Sequence, residues 1–287
     1  MTAVSTWADD MPTQPGNDLL FKRRVRPRAA VAELWRNREL VRTLAERDFR
    51  VRYKQAVLGV AWSVLTPVLF MTVFTLVFTR VARTGHGDAP YPLFAYLGLL
   101  PWTFFATSLN LGGMSLATNV PLLNKVYCPR EVFPLATMAV AAIDTVLSCS
   151  VLVVLFLIYG TVPMLTWLYV PVILVVQLAF VIGVVLAASA VIVYLRDVRY
   201  AIPVVLQIGL FATPVAWSLN SISGTLQHLY VAVNPLGAVI ESYRRTVLEG
   251  HAPDWSLLGV AAVTAALALS GGYLLFKRLE VGFADVA

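Results

Sequence analysis

An all-α polytopic membrane fold is what this sequence predicts, on three observations. Of its 287 residues, 59% are hydrophobic and only 13% are Asp, Glu, Lys or Arg, with a mean hydropathy of +0.75; a soluble domain is about one quarter charged. The charges are not scattered but stand at the borders of long uncharged runs, Gln55–Thr79, Ala89–Asn124, Val132–Leu195 (broken only by Asp144), Tyr200–Ile240 and Trp255–Phe276. Splitting the third at Gly160–Pro163 gives six transmembrane helices. Finally, Lys and Arg alternate from one connection to the next. Twelve lie between Lys22 and Lys54 and six more in Lys125/Arg130, Arg196/Arg199 and Lys277/Arg278, against four in Arg80/Arg83 and Arg244/Arg245. Cations gather on the cytoplasmic side, so both termini are expected there. The net charge of +6 then belongs to a membrane surface rather than to nucleic acid.

Residues 1–29 read as a disordered cytoplasmic tail, with no secretory signal peptide ahead of the first span. Residues 30–53 carry apolar positions at helical spacing (Val31, Leu34, Trp35, Leu40, Val41, Leu44, Ala45, Phe49), opposite Arg36, Arg38, Arg42, Glu39 and Glu46. A basic amphipathic helix just before a span lies in the membrane interface or packs on another protein, and the two are compatible. Its end, Arg47, Arg50, Arg52 and Lys54, runs straight into span 1, whose 25 uncharged residues, Gln55–Thr79, suffice to cross about 30 Å of hydrocarbon. Phe70, Phe74 and Phe78 share one face of that helix.

Span 2 occupies about Leu93–Thr118. The amphiphilic stretch Asn119–Pro134 follows, bracketed by prolines, and predicts a short helix across the inner surface, longer than a plain connection needs. Span 3, about Val132–Tyr159, carries Asp144 near its centre, a costly position for a carboxyl group. With no Lys or Arg in any span, the expected arrangement is a neutral Asp hydrogen-bonded to a neighbouring helix; a lone carboxyl makes a poor proton relay. Span 4 covers about Trp167–Tyr194 and span 5 about Ala201–Leu219. Residues 220–250 then hold two apolar segments too short to cross, split by Asn234-Pro235. They read as a re-entrant helix pair on the outer side, with Arg244 and Arg245 on its rim, or as a simple outer loop helix. Span 6, Trp255–Phe276, returns the chain to a cytoplasmic tail, 277–287.

Chemistry-bearing motifs are missing. There is no phosphate-binding glycine loop, HExxH or GxSxG, and Cys128 and Cys149 have neither metal spacing nor a shared compartment for a disulfide. No metal site is expected. What remains is a conduit whose energy comes from another chain.

At this point a resemblance enters. Arg47-Asp48, Arg52-Tyr53-Lys54-Gln55, Leu58-Gly59, Trp62, Leu65 and Pro67 are similar to the N-terminal motif of ABC-2 type permeases that export polysaccharides. That group includes the O-antigen, teichoic-acid and mycobacterial galactan exporters, whose permease is often called Wzm. Lys125 to Pro134, Arg196-Asp197, Pro214, Asn234-Pro235, Tyr243-Arg244-Arg245 and Phe283-Ala284-Asp285 resemble further landmarks of the family. The resemblance covers about residues 31–287 and implies a six-span permease domain over 54–276, in the bacterial plasma membrane. It implies a homodimer carrying two copies of an ATP-binding subunit, with Mg-ATP on that partner and no cofactor on this chain. The cargo it implies is a polyprenyl-pyrophosphate-linked glycan; the Ala, Val and Arg bias favours a galactan precursor.

On that basis a coupling helix is expected at 119–130, with Leu123, Lys125, Tyr127 and Arg130 meeting the ATPase. Arg47, Arg50, Arg52 and Lys54 are candidates for the lipid pyrophosphate, or for membrane anchoring alone. Trp62, Phe70, Phe74, Trp102, Phe105 and Phe211 are candidates for a glycan channel in which sugars slide over flat faces, or for ordinary packing. Asn234, Arg244 and Arg245 are candidates for an outer gate. Two other readings stay open: a membrane enzyme on polyprenyl-linked sugars with Asp144 or Glu241 as base, and an ABC-2 permease for drugs or small lipids.

Overall fold

Apolar runs closed by charges, proline or glycine fold as helices throughout the described part of the chain, residues 35–54, 58–82, 89–120 and 128–283 of a computed structural model. The elements are α1 Arg38–Tyr53, α2 Ala61–Leu76, α3 Tyr91–Thr118, α4 Val132–Tyr159, α5 Val170–Tyr194, α6 Val198–Ala212, α7 Thr225–Val233, α8 Pro235–Val247 and α9 Trp255–Glu280. A π-helical turn, Val77–Ala82, extends α2, and a 3-10 turn, Leu165–Tyr169, leads into α5. No strand occurs among the described residues.

Five helical stretches are long and apolar enough to cross a membrane: Ala61–Thr79, Tyr91–Thr118, Val132–Tyr159, Leu165–Tyr194 and Trp255–Glu280. The expected fifth span is shorter than the sequence reading. α6 has 15 residues and stops at Ala212, because Thr213, next to Pro214, is held extended at ψ 144. At 1.5 Å per residue it reaches about 22 Å, short of a hydrocarbon core of about 30 Å.

α3 is the central post. Most of its length is buried among α2, α4, α5, α6 and α8. Its glycines set the distances: a Cβ on Gly113 would stand 3.2 Å from the Ile192 side chain of α5, and one on Gly112 would collide with Val185. α5 and α9 cross even more closely. A Cβ on Gly183 would collide with the Ala268 backbone, and one on Gly272 with the Gly183 carbonyl. In lipid, where no hydrophobic force pulls helices together, such small-residue crossings supply the packing. Gly183→Val and Gly272→Val are therefore each expected to cost about 3 kcal/mol. Gly271→Val, with open space at its Cβ, should stay within about 0.5 kcal/mol. Chemical denaturation of the detergent-solubilised protein distinguishes the three.

The apolar stripe of α1 is covered by protein. Leu44 and Ala45 are buried, and with Leu40, Val41 and Phe49 they join Val132, Phe133, Ala136 and Val140 of α4, together with Phe276 and Phe283. At the opposite end, α7 and α8 replace the two segments expected around Asn234-Pro235, and neither is long enough to cross. Every residue of α8 except Arg245 is buried.

α9 begins with a capped turn. The Asp254 carboxylate accepts from the Ser256 and Leu257 amides at 3.0 and 3.4 Å and pairs with Arg245 at 3.6 Å. Partial burial alone would raise its pKa; the hydrogen bonds from Ser256 and Leu257 and the Arg245 charge outweigh that and hold it below the usual value. A depressed carboxylate pKa stabilises the fold above its unfolded value and loses that contribution as pH falls through the folded value. Asp254→Ala should cost about 1 kcal/mol near neutral pH, a difference that closes on acidification past the folded pKa. Thermal midpoints measured against pH test this.

Candidate functional site

Where α1 hands over to α2, the chain builds a polar cavity of about 260 Å³ between α1, α2, α3 and α4. Gly59, at φ +47, makes the left-handed turn that brings α2 back beside the end of α1. α1 contributes Arg52 and Tyr53; α2 contributes Trp62, Ser63, Thr66 and Pro67. Thr103 and Thr107 come from α3, and Asp144, Thr145 and Ser148 from α4. Pro67 has no N–H to offer the Ser63 carbonyl four residues back. The Ser148 hydroxyl of α4 donates to that carbonyl instead, at 2.8 Å, so a proline in one helix fixes the position of another.

At the cavity wall Arg52 Nη1 donates to Asp144 Oδ2 at 2.8 Å and Tyr53 Oη donates to Asp144 Oδ1 at 2.7 Å. Burial and the bond to Asp144 push the Tyr53 phenol up to about 12, so it remains a donor at any physiological pH. This corrects the expectation for Asp144. Its partner is a cation on α1, the helix before the first span, and not a hydroxyl or amide of a neighbouring span. A carboxylate this enclosed requires such a partner. The pair is charge-balanced, so the cavity offers hydroxyl groups and a neutral ion pair to whatever enters.

The other pyrophosphate candidates occupy different settings. Arg47 pairs with Asp48 at 2.7 Å and also donates to Asn119 Oδ1 at 2.9 Å, tying α1 to the first residue of the 119–130 segment. Arg50 is exposed and reaches Glu46 only at 3.7 Å, while Lys54 is exposed at the end of α1. Leu123, Lys125 and Tyr127, and the expected helix across the inner surface, lie outside the described residues. Arg130 turns toward the end of α9: its guanidinium donates to the Glu280 carbonyl and lies 5.4 Å over the Phe283 ring. Next to it, buried Glu131 pairs with Lys277, which also holds Glu280 at 2.8 Å.

The aromatic candidates divide. Trp62, Phe70 and Phe211 are exposed, whereas Phe74, Trp102 and Phe105 are buried. Phe74 sits among Phe70, Phe78 and Phe211, each about 6 Å away between ring centroids. The Trp102 ring fills the space over Gly209, where a Cβ would come within 2.7 Å.

Arg244 is not on a rim. It is 1% exposed, and it donates to the carbonyls of Phe94 (3.2 Å), Pro214 (2.8 Å), Trp217 (3.2 Å) and Val215 (2.6 Å). Its guanidinium also stacks 3.5 Å over the Phe94 ring and faces Glu241 at 3.7 Å. The unwound stretch after α6 has carbonyls without helical partners, and this side chain supplies the donors. Arg245 does face outward, toward Asp254. Asn234 Nδ2 donates to Thr213 Oγ1 at 2.8 Å, closing the same stretch from α8's first turn. Glu241, the other candidate base, accepts from Asn220 at 3.1 Å beside Arg244.

Sequence reasoning gave Tyr53 no role beyond its place in the Arg52-Tyr53-Lys54-Gln55 motif and missed the hydroxyls of Thr66, Thr103 and Thr107. Threonines in apolar helices commonly bond their own backbone, as Thr66 does to the Trp62 carbonyl at 3.0 Å, so no pattern sets these apart.

The ABC-2 type transporter family matches residues 39–248, an interval holding the whole cavity and Arg244. The chain is 33% identical over 254 residues to the O-antigen export system permease protein RfbA of Myxococcus xanthus, covering 87% of this chain and 96% of that protein. Identity to a Klebsiella pneumoniae protein of the same name is 26%, over 86% of this chain and 95% of the relative. To the polysialic acid transport protein KpsM of Escherichia coli it is 25%, over 84% and 93%.

Proposed function

This chain belongs to the ABC-2 type transporter family, as a multi-pass inner-membrane permease subunit for polysaccharide export whose ATPase is a separate chain, and from that premise we propose what it carries and how it is assembled. The cargo is a polyprenyl-pyrophosphate-linked glycan, a galactan precursor by preference, taken from the cytoplasm and passed through a channel formed by two copies of this chain. Each copy binds one ATP-binding subunit through the segment 119–130.

The observation that carries this reading is the cavity at the α1–α2 junction. Its walls combine hydroxyl oxygens and a neutral ion pair with the apolar faces of Trp62 and Pro67, a mixed lining that suits the polar edges and apolar faces of a sugar. The exposed cations Arg50 and Lys54 beside it suit a dianionic head group at the membrane surface. Trp62 at its edge offers a flat apolar face. In this reading α6 is the fifth of six crossings, a short one completed by the largely buried stretch 213–219. α7 and α8 form the re-entrant pair: α8 is enclosed by protein, as backbone at that depth requires, while α7 buries only Val231 and leaves Leu226, Leu229 and Val233 exposed. Both termini lie in the cytoplasm.

ATPase stimulation tests the proposal. The reconstituted complex with its ATP-binding subunit should hydrolyse ATP faster when polyprenyl-linked glycan is added, and Thr107→Leu with Arg50→Gln should blunt that response while leaving basal hydrolysis intact. Stimulation by a small drug or free phospholipid alone, with none from the glycolipid, would refute the assigned cargo.

A further inference from the structure

A second concavity lies between α3, α4, α5 and α8 and meets the polar cavity at Thr145, which lines both. It encloses about 450 Å³, and its lining is almost wholly hydrocarbon. Apart from the Cys149 thiol, the polar side chains that reach it are already bonded within the protein. Tyr243 Oη donates to Gln177 Oε1 at 3.0 Å, Gln177 Nε2 to the Pro101 carbonyl at 3.2 Å, Thr145 Oγ1 to the Ala141 carbonyl at 2.9 Å and Trp167 Nε1 to the Val247 carbonyl at 3.3 Å. Water entering would find no partner there, and a polar ligand nothing to recognise. An empty groove would forfeit the dispersion contacts of its walls.

The groove opens where α4 and α5 make little contact with one another. Its edge residues Val146 and Leu174 are exposed, and the apolar surface continues outward over Val153 and Val175. On a membrane-embedded chain this surface faces lipid wherever no second copy of the chain covers it, and there the groove is an inlet of the bilayer. Its length is specific. Along α4 it runs from Ala142 to Phe156, about 21 Å at 1.5 Å per residue. One leaflet of hydrocarbon is roughly 15 Å deep. From the α8 end of the helices the groove is thus long enough to take a chain through its whole leaflet and slightly past mid-membrane.

We propose that this groove is a binding site for one acyl chain of a bilayer phospholipid, drawn from the leaflet at the α8 end and seated between α4 and α5 with its tip near Ala142 and Thr145. The bound chain fills the space beneath α8 and supports the Tyr243–Gln177–Pro101 hydrogen bonds that join α8, α5 and α3. The site shares only Thr145 with the polar cavity and holds its acyl chain whichever glycan is carried.

The test uses the full permease–ATPase complex in nanodiscs containing a phospholipid with a diazirine at the end of one acyl chain. A parallel sample carries a diazirine-tagged polyprenyl phosphate. After illumination, adducts are mapped by peptide mass spectrometry. The expected result is enrichment of acyl adducts on groove residues over the exposed Val153, Val175 and Leu157, and loss of that enrichment in Ala142→Phe, whose ring occupies the groove. Leu178→Trp blocks the groove from α5 and serves if Ala142→Phe does not assemble. Even labelling of all lipid-facing positions, an enrichment that survives both substitutions, or groove adducts from the polyprenyl probe alone would overturn the proposal.

Discussion

Arg244→Met is expected to remove on the order of 5 kcal/mol of stability, enough to prevent accumulation of the folded permease. The guanidinium serves four carbonyls from two parts of the chain and faces one carboxylate, all of them buried except the half-buried Trp217. Each buried polar group left without a partner costs about 1–3 kcal/mol, and breaking a buried ion pair about 3–5 kcal/mol. Set against a typical total of about 5–15 kcal/mol, that loss is close to complete. Arg244→Lys should rescue little, since an ammonium cannot present a planar fork to carbonyls on opposite sides. The neighbouring Arg245→Met removes only a half-exposed contact at 3.6 Å and should stay within about 1 kcal/mol. Fluorescence-detected size exclusion and thermal midpoints of the three variants decide the matter. Similar behaviour of Arg244→Met and Arg245→Met would contradict the role given to Arg244.

The Arg52–Asp144 pair leads to the second large effect, and the expected pattern is asymmetric. The Asp144 side chain is 11% exposed and that of Arg52 38%. Arg52→Met strands a carboxylate with Tyr53 as its one remaining donor among those seen here, at a cost of about 3 kcal/mol. Asp144→Leu leaves an arginine that can still turn to water, at a cost of about 1 kcal/mol. The double variant should recover most of the Arg52→Met loss, because no unpaired charge remains; a coupling of about 3 kcal/mol would measure the interaction. Additive losses would mean that the two side chains do not pair in the membrane.

Much of this architecture was legible from charge spacing. α4 runs from Val132 to Tyr159 as read, because Glu131 and Pro129 close one end and Gly160, at φ +67, closes the other. α3, α5 and α9 follow their apolar runs equally well. α6 was misjudged because composition does not register the break at Thr213-Pro214; the apolar run continues while the helix does not. The site was half legible. The cations at the end of α1 stand out in any count of Lys and Arg, but Asp144's partner lies 92 residues away on a helix outside the spans. Hydropathy places such residues in different compartments; the packing of α1 along α4, through Leu44 and Ala45 against Val132, Ala136 and Val140, brings them together. Arg244 and Arg245 look alike to a charge count. Helical phase separates them, since position 245 is the one point on α8 that escapes burial.

The most direct test of the account is glycolipid movement in vesicles. Proteoliposomes holding this permease with its ATP-binding subunit, and a polyprenyl-linked galactan on the ATP-accessible side, should deliver that glycan to the opposite face only when ATP is hydrolysed. Vesicles with the permease alone should deliver none. Translocation by the permease without its partner, or the absence of it with partner and ATP both present, would contradict the reading of this chain as a glycan conduit driven from outside itself.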